Sequence, residues 1–294
     1  VSSDLRARLT SGIAAVAVVV PILASNNFWA VAGLAGVAAI WALHEMATMG
    51  LPGERRWAFP LLVALGVPLF LIVATSNQDT EALLGITLPA SGLLLMATLV
   101  GAVLLSAGAF LFTAKTTDGL ADKWARFLLS LLYVPLLLGM LAALVGFDGG
   151  AGWLWVPLFV GWCGDIGGYF VGRSFGKNKM LPLISPKKTW EGFFGGVALA
   201  IVGLGFYKVV FFDRLAESTV PLGWLDVVVL GIVGDVAGVL GDLVESMIKR
   251  TWGHKDSGRF LPGHGGMLDR IDAVLFVAPV VYLWAVVLRP LIAG

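Results

Sequence analysis

Nine apolar stretches, each close to the length of a bilayer crossing, limit what this chain can fold into. They run near 11–25, 28–49, 57–74, 90–112, 126–147, 153–172, 191–212, 224–246 and 268–290. A spanning helix needs about 20 mostly apolar residues, and in hydrocarbon its backbone N–H and C=O groups must be paired within the segment. The expected fold class is therefore all-α, a polytopic membrane protein with about nine transmembrane helices. Charged residues make up only 13% of the chain, against roughly 25% in ordinary soluble domains. The mean hydropathy of +0.90 nearly excludes a water-soluble globule. A net charge of +1 supplies no global field for nucleic acid, so no such partner is expected. The single cysteine, Cys163, has no internal disulfide partner and reads as a small apolar packing group.

Lys and Arg collect in cytoplasmic loops. With the N-terminus inside, all of the 20 Lys and Arg except Lys208, Arg214 and Arg289 fall on the inner side. The expected topology is N-terminus cytoplasmic and C-terminus outside. Arg6 and Arg8 before the first apolar run resemble a signal peptide, but Ile22 and Ala24 make a poor cleavage site. An uncleaved first span is preferred.

Polar residues divide the chain unevenly. Residues 1–150 read as a transmembrane scaffold, and residues 151–294 as a catalytic transmembrane region with cytoplasmic loops 173–190 and 247–268. His44 and Glu45 are the exceptions in the scaffold. They lie near the inner end of the second span, where snorkelling to the interface accounts for them. In the sixth span Gly164, Gly168, Gly172 and Gly176 recur every four residues, a smooth ridge against which another helix can pack closely. Asp165 lies beside that ridge. A charge at membrane depth is costly unless paired, metal-bound or wet, and a functional role is expected for it.

The eighth span places Asp235, Asp242, Ser246 and Lys249 within about 60° of one another on the helical wheel, with Glu245 at the edge of the stripe. Within a membrane such a face must line an enclosed cavity. Asp269 and Asp272 open the ninth span three residues apart and share a face. Mg²⁺ takes one or two carboxylates plus water and substrate phosphates. Asp242 and Asp269 are the expected metal ligands. The glycine turn Pro262-Gly263-His264-Gly265-Gly266 would let backbone N–H groups approach an anion. Ser185-Pro186 reads as a helix N-cap with proline at the first helical position. Lys187 and Lys188 then fall in the first turn, against the macrodipole, as though an anionic ligand offset them.

These residues also carry a resemblance. Ser246 to Asp272 follows the pattern S-x-x-K-R, four residues, K-D, then L-P-G-H-G-G-x-x-D-R-x-D, preceded by Gly241-Asp242 and Glu245-Ser246. It resembles the signature of the phosphatidate cytidylyltransferases, or CDP-diacylglycerol synthases. The run from Asp165 to Gly192, with DIGGYFVGRSFGK and ISPKKTWEG, is similar to that family's other recurrent stretch. Asp235 has no counterpart in the pattern.

The resemblance implies that phosphatidic acid attacks the α-phosphorus of CTP, giving CDP-diacylglycerol and pyrophosphate. It implies Mg²⁺ on Asp242 and Asp269, with Ser246, Asp272 and Asp165 as further candidates, and a second cation such as K⁺. Lys249, Arg250, Lys255 and Arg270 would hold the triphosphate and the leaving pyrophosphate. Lys187 and Lys188 would capture a head group, His264 would bond a phosphate oxygen, and Gly265 and Gly266 would admit it. A homodimer in a bacterial cytoplasmic membrane is the implied setting. Two other readings use the same charges: a CTP-dependent polyprenol kinase or ether-lipid cytidylyltransferase, and a transporter of a phosphorylated metabolite. The absence of any visible inverted repeat speaks against the transporter.

Overall fold

The computed structural model describes residues 3–78, 91–147, 150–215, 220–258, 260 and 265–293, with backbone alone at 3–11, 91, 215 and 293. Among the described residues nine long helices follow one another: α1 (Ser3–Ala24), α2 (Phe28–Gly50), α3 (Arg55–Ala74), α4 (Ser91–Thr113), α5 (Leu120–Gly146), α6 (Gly150–Phe175), α7 (Trp190–Phe212), α8 (Trp224–Thr251) and α9 (Leu268–Ile292). Among the described residues, eight of them, α2 to α9, are long and apolar enough to cross a bilayer. These eight coincide with the second to ninth apolar stretches. The apolar part of α1, Gly12–Ala24, is shorter. The all-α membrane architecture is thus the one the hydropathy dictates.

The helices group into two compact units, residues 1–146 with 252–268, and residues 147–251 with 269–294. In the first unit, Leu43 and Met46 of α2, Leu62 and Leu69 of α3, and Phe127, Leu131 and Leu138 of α5 are buried. α5 makes a π-turn at Leu132–Leu136, where Pro135 supplies no N–H and the ladder shifts register around it. Gly50 closes α2 against Trp252; a Cβ there would lie 2.9 Å from the indole ring. The Arg126 guanidinium stands 5.7 Å over the same ring and donates to the Gly50 carbonyl at 3.3 Å.

In the second unit the glycine ridge of α6 meets a glycine face on α7. A Cβ on Gly192 would lie 2.8 Å from the Gly168 carbonyl oxygen and 3.2 Å from the Gly172 Cα. One on Gly196 would lie 3.0 Å from the Gly164 carbonyl. Lipid offers no hydrophobic drive between apolar helices, so close backbone packing supplies the attraction. The expected ridge finds its partner in α7.

Between α6 and α7 the chain forms an antiparallel hairpin, β1 (Lys179–Leu181) and β2 (Ser185–Thr189), with Lys179 opposite Thr189. This corrects the expected N-cap at Ser185, while the seventh span itself starts where the apolar run does. Lys187 and Lys188 lie on an extended strand, not in a first helical turn, so they do not oppose the macrodipole. The N-cap is Thr189, whose hydroxyl accepts from the Gly192 N–H at 3.1 Å. Glu191 then turns back to accept from the Asn178 backbone N–H at 3.1 Å and its side chain at 2.7 Å, tying the hairpin to the helix. Thr189→Ala should cost about 1 kcal/mol, the usual value of a lost cap. Denaturation in mixed micelles would read it.

Candidate active site

Within the second unit, α6, the hairpin, α7 and α8 line a half-open cavity of about 530 Å³. Its glycine floor (Gly164, Gly168, Gly172, Gly192, Gly196) leaves room where side chains would otherwise fill it. Arg173, Lys179, Lys187 and Lys188 bring positive charge to it, and Asp165, Asp235 and Asp242 bring negative charge. Of the stripe on α8, Asp235 and Asp242 line this cavity, and Ser246 and Lys249 are not part of its lining. Asp235, which had no place in the signature, reaches into the gap left by Gly164 and Gly196; a Cβ on Gly196 would lie 3.1 Å from its Oδ2. It is buried, and Oδ2 has no hydrogen-bond partner among the described residues.

Lys188 joins the cavity to the acidic end of α8. Its Nζ stands 2.7 Å from Asp242 Oδ2 and donates to the Val239 carbonyl at 3.4 Å. Ser246, one turn further, donates to Asp242 Oδ1 at 3.3 Å. Asp242, Glu245 and Asp272 each offer a carboxylate oxygen within 4.8 Å of the others. Asp242 and Glu245 are neighbours because they are three residues apart on one helix. Asp272 comes from α9, which crosses α8 so closely that a Cβ on Gly241 would lie 2.5 Å from the Asp272 carbonyl oxygen.

Lys249 sits beside this group. It pairs with Glu245 Oε2 at 2.6 Å and donates to Asp269 Oδ1 at 2.5 Å. Asp269 thus faces Lys249, while Asp272 joins Asp242 and Glu245. Glu245 is 1% exposed, and Oε1 has no hydrogen-bond partner among the described residues. Three converging carboxylates, of which Glu245 is buried with an unmatched oxygen and the other two half-buried, suit a hard divalent cation, which takes oxygen ligands and offsets their mutual repulsion. The donor set fits Mg²⁺. Glu245 is the member that residue spacing left at the edge of the stripe. Its role depends on Asp272, which helical periodicity along α8 does not reveal.

The remaining signature residues are placed as follows. Arg250 and Arg270, in the second unit, are exposed. Lys255, in the first unit, is exposed too. Gly265 takes a positive φ of 86°, a conformation that glycine adopts without strain. Gly266 is buried. His264 lies outside the described residues. Glu45 departs from expectation: it does not snorkel but is 3% exposed, and it accepts hydrogen bonds from Ser257, Met267 and Leu268.

A multi-pass membrane chain with a charged cavity, a carboxylate cluster and lysines among them has groups that could hold both anions and a cation. Comparison with known proteins narrows this. Residues 6–288 match the model of the cytidylyltransferase family, and the chain belongs to that family. It is 46% identical over 121 residues to a phosphatidate cytidylyltransferase of Bacillus subtilis, covering 41% of this chain and 42% of the relative. It is 41% identical over 170 residues to one from Mycobacterium bovis (55% and 53%), and 44% over 128 residues to one from Brucella suis (43% and 44%). The aligned parts span about half the length of these relatives or somewhat less.

Proposed function

We propose that this protein is a phosphatidate cytidylyltransferase, transferring CMP from CTP to phosphatidic acid and releasing pyrophosphate. The observation that carries the reading is the carboxylate group of Asp242, Glu245 and Asp272 beside a cavity lined by Lys188 and three further cations. In the reaction a phosphate oxygen of the lipid attacks the α-phosphorus of CTP. A new P–O bond forms as the bond from the α-phosphorus to the bridging β-oxygen breaks, and that electron pair leaves with pyrophosphate. The attacking phosphate is already ionised, so no strong base or nucleophilic side chain is needed. What the reaction requires is that several negative charges be held together, by positioning and charge neutralisation.

Asp242, Glu245 and Asp272 would hold Mg²⁺, which when bound supplies charge neutralisation and polarises phosphate oxygens. A second cation is assigned to the other carboxylate pair of the cavity, Asp165 and Asp235. Lys188 orients one Asp242 oxygen and offers its remaining protons to phosphate. Lys249 holds Asp269 and Glu245 in place. Lys187, Arg173 and Lys179 give the cavity an affinity for an anionic head group. Arg250, Arg270, Lys255 and the glycine turn with His264 complete the phosphate-binding set in this reading. With it go nine spans, an inside N-terminus, a homodimer and a bacterial cytoplasmic membrane, where CTP and inner-leaflet lipid meet.

The test is purified protein in lipid-supplemented detergent with radiolabelled CTP, phosphatidate and Mg²⁺. Label should enter the lipid phase with stoichiometric pyrophosphate, and both should vanish with EDTA or without phosphatidate. Production of CDP instead would make the protein a lipid kinase. No turnover at all, in protein that remains folded, would turn the reading to transport.

A further inference from the structure

The hairpin between α6 and α7 turns on apolar residues. The Ile184 N–H donates to the Leu181 carbonyl at 3.2 Å, closing a turn over Leu181-Pro182-Leu183-Ile184 in which Pro182 sets the bend. Turns that face water are built with Gly, Asn, Asp and Ser beside Pro. None of these is present here, yet Leu181 and Pro182 are exposed and Leu183 is 93% exposed. A two-stranded hairpin is marginal in water even with a polar turn. Leu181 to Ile184 are not among the residues that line the cavity, so the mechanism above leaves this tip unused.

Its position says what covers it. The two helices that carry the hairpin are both long and apolar enough to cross a bilayer. Phe175 closes α6 and Trp190 opens α7, both exposed, and aromatic rings at the ends of spans sit at head-group level. β1 begins four residues after Phe175, and β2 ends directly before Trp190. A three-residue strand reaches only about 10 Å, so the tip stays close to that level. The base is held in place, since the Trp190 N–H donates to the Asn178 carbonyl at 2.9 Å and Glu191 accepts from Asn178. No Asp or Glu lies between Asp165 and Glu191, whereas Arg173, Lys177, Lys179, Lys187 and Lys188 do. An apolar tip rimmed by cations suits the surface of a bilayer, where apolar side chains sink to the acyl boundary and basic ones meet anionic phosphates. A second copy of this chain would set the same positive charges against each other.

We propose that the β1–β2 hairpin is a wedge in the membrane surface: Leu181 to Ile184 sink among the acyl chains of an anionic leaflet, Lys177, Lys179 and Lys187 meet its phosphates, and anionic lipid gathers at the mouth of the cavity. Met180 on β1 and Ser185 and Lys187 on β2 line that cavity, so the element that enters the leaflet also forms the cavity wall. The delivery of lipid rests on the cytidylyltransferase reading. The insertion does not.

The experiment uses the full chain in vesicles of phosphatidylcholine and anionic phosphatidylglycerol. In a Cys163→Ala background, Leu183→Cys or Lys177→Cys carries an environment-sensitive fluorophore. At Leu183 the emission should be quenched by spin labels on the acyl chains and shielded from acrylamide in the water, and at Lys177 acrylamide should reach it more easily. A label at Leu183 no better shielded from acrylamide than one at Lys177 would place the tip in water and overturn the proposal. Shielding from both quenchers would mean that protein, a second copy included, covers the tip, and would overturn it as well. For delivery, Leu183→Asp should raise the share of phosphatidate needed for half-maximal rate about tenfold, the scale set by the lost burial of one Leu side chain. KM for CTP should stay within about twofold, and Leu183→Phe should behave as wild type. An unchanged phosphatidate dependence in Leu183→Asp would overturn the delivery role. If the wild type does not turn over phosphatidate, the functional reading fails by itself, and the quenching then decides the insertion alone.

Discussion

Asp242→Asn is expected to reduce CMP transfer by about 10³-fold or more, equivalent to about 4 kcal/mol of transition-state stabilisation, in protein that still folds. The substitution keeps size and shape and removes one charge. That charge touches every part of the site: Lys188 at 2.7 Å, the Ser246 hydroxyl at 3.3 Å, and the Glu245 and Asp272 carboxylates within 4.8 Å. Without it the cluster has one fewer anionic ligand for Mg²⁺, and Lys188 loses its partner. The loss should fall mainly on kcat, and higher Mg²⁺ should recover only part of it. Turnover above a tenth of wild type at saturating Mg²⁺ would show that the metal is held elsewhere. Lipid-dependent pyrophosphate release, measured across a Mg²⁺ series, is the assay.

The second large effect concerns a single methyl group. Gly192→Ala should destabilise the protein by roughly 3 kcal/mol or more, beyond the usual cost of overpacking, because the atom in the way is backbone. The added Cβ would lie 2.8 Å from the Gly168 carbonyl oxygen and 3.2 Å from the Gly172 Cα, so α6 and α7 must separate to admit it. Gly101→Ala in α4 is the matched control. Nothing lies within 4 Å of its Cβ position, and Ala in a helix interior is favoured over Gly by about 0.5–1 kcal/mol. Opposite shifts in melting temperature are expected for the two variants. Equal shifts would mean that the α6–α7 contact is looser than these distances indicate.

How much of this was legible in the sequence depends on the range of the interaction. The membrane helices follow from apolar runs, a local property, and the structure places α2 to α9 where those runs lie. The α8 stripe is equally local, since 3.6-residue periodicity alone puts Asp235 and Asp242 on one face. Errors began where two local signals competed. Ser185-Pro186 reads locally as a helix start, but its pairing into the hairpin, which brings Lys179 opposite Thr189, puts it on a strand and leaves Thr189 as the cap. Glu245 and Asp272 share a cluster only because α8 and α9 cross at Gly241, a tertiary fact. Glu45 was beyond reach: its nearest partner in sequence is 212 residues away, and no spacing rule connects an acidic residue in one apolar run to a glycine turn near the other end.

The interleaving of the two units bears on attempts to dissect the protein genetically. Residues 252–268 pack with residues 1–146, although 105 residues of the other unit separate them in the chain. A chain divided near residue 146 would leave its first half with Glu45 in an apolar helix and none of the three donors that satisfy it. The second half would carry those donors without their acceptor. Neither fragment is a self-sufficient folding module, and recovery of function from co-expressed halves would require this one carboxylate to be found again in trans.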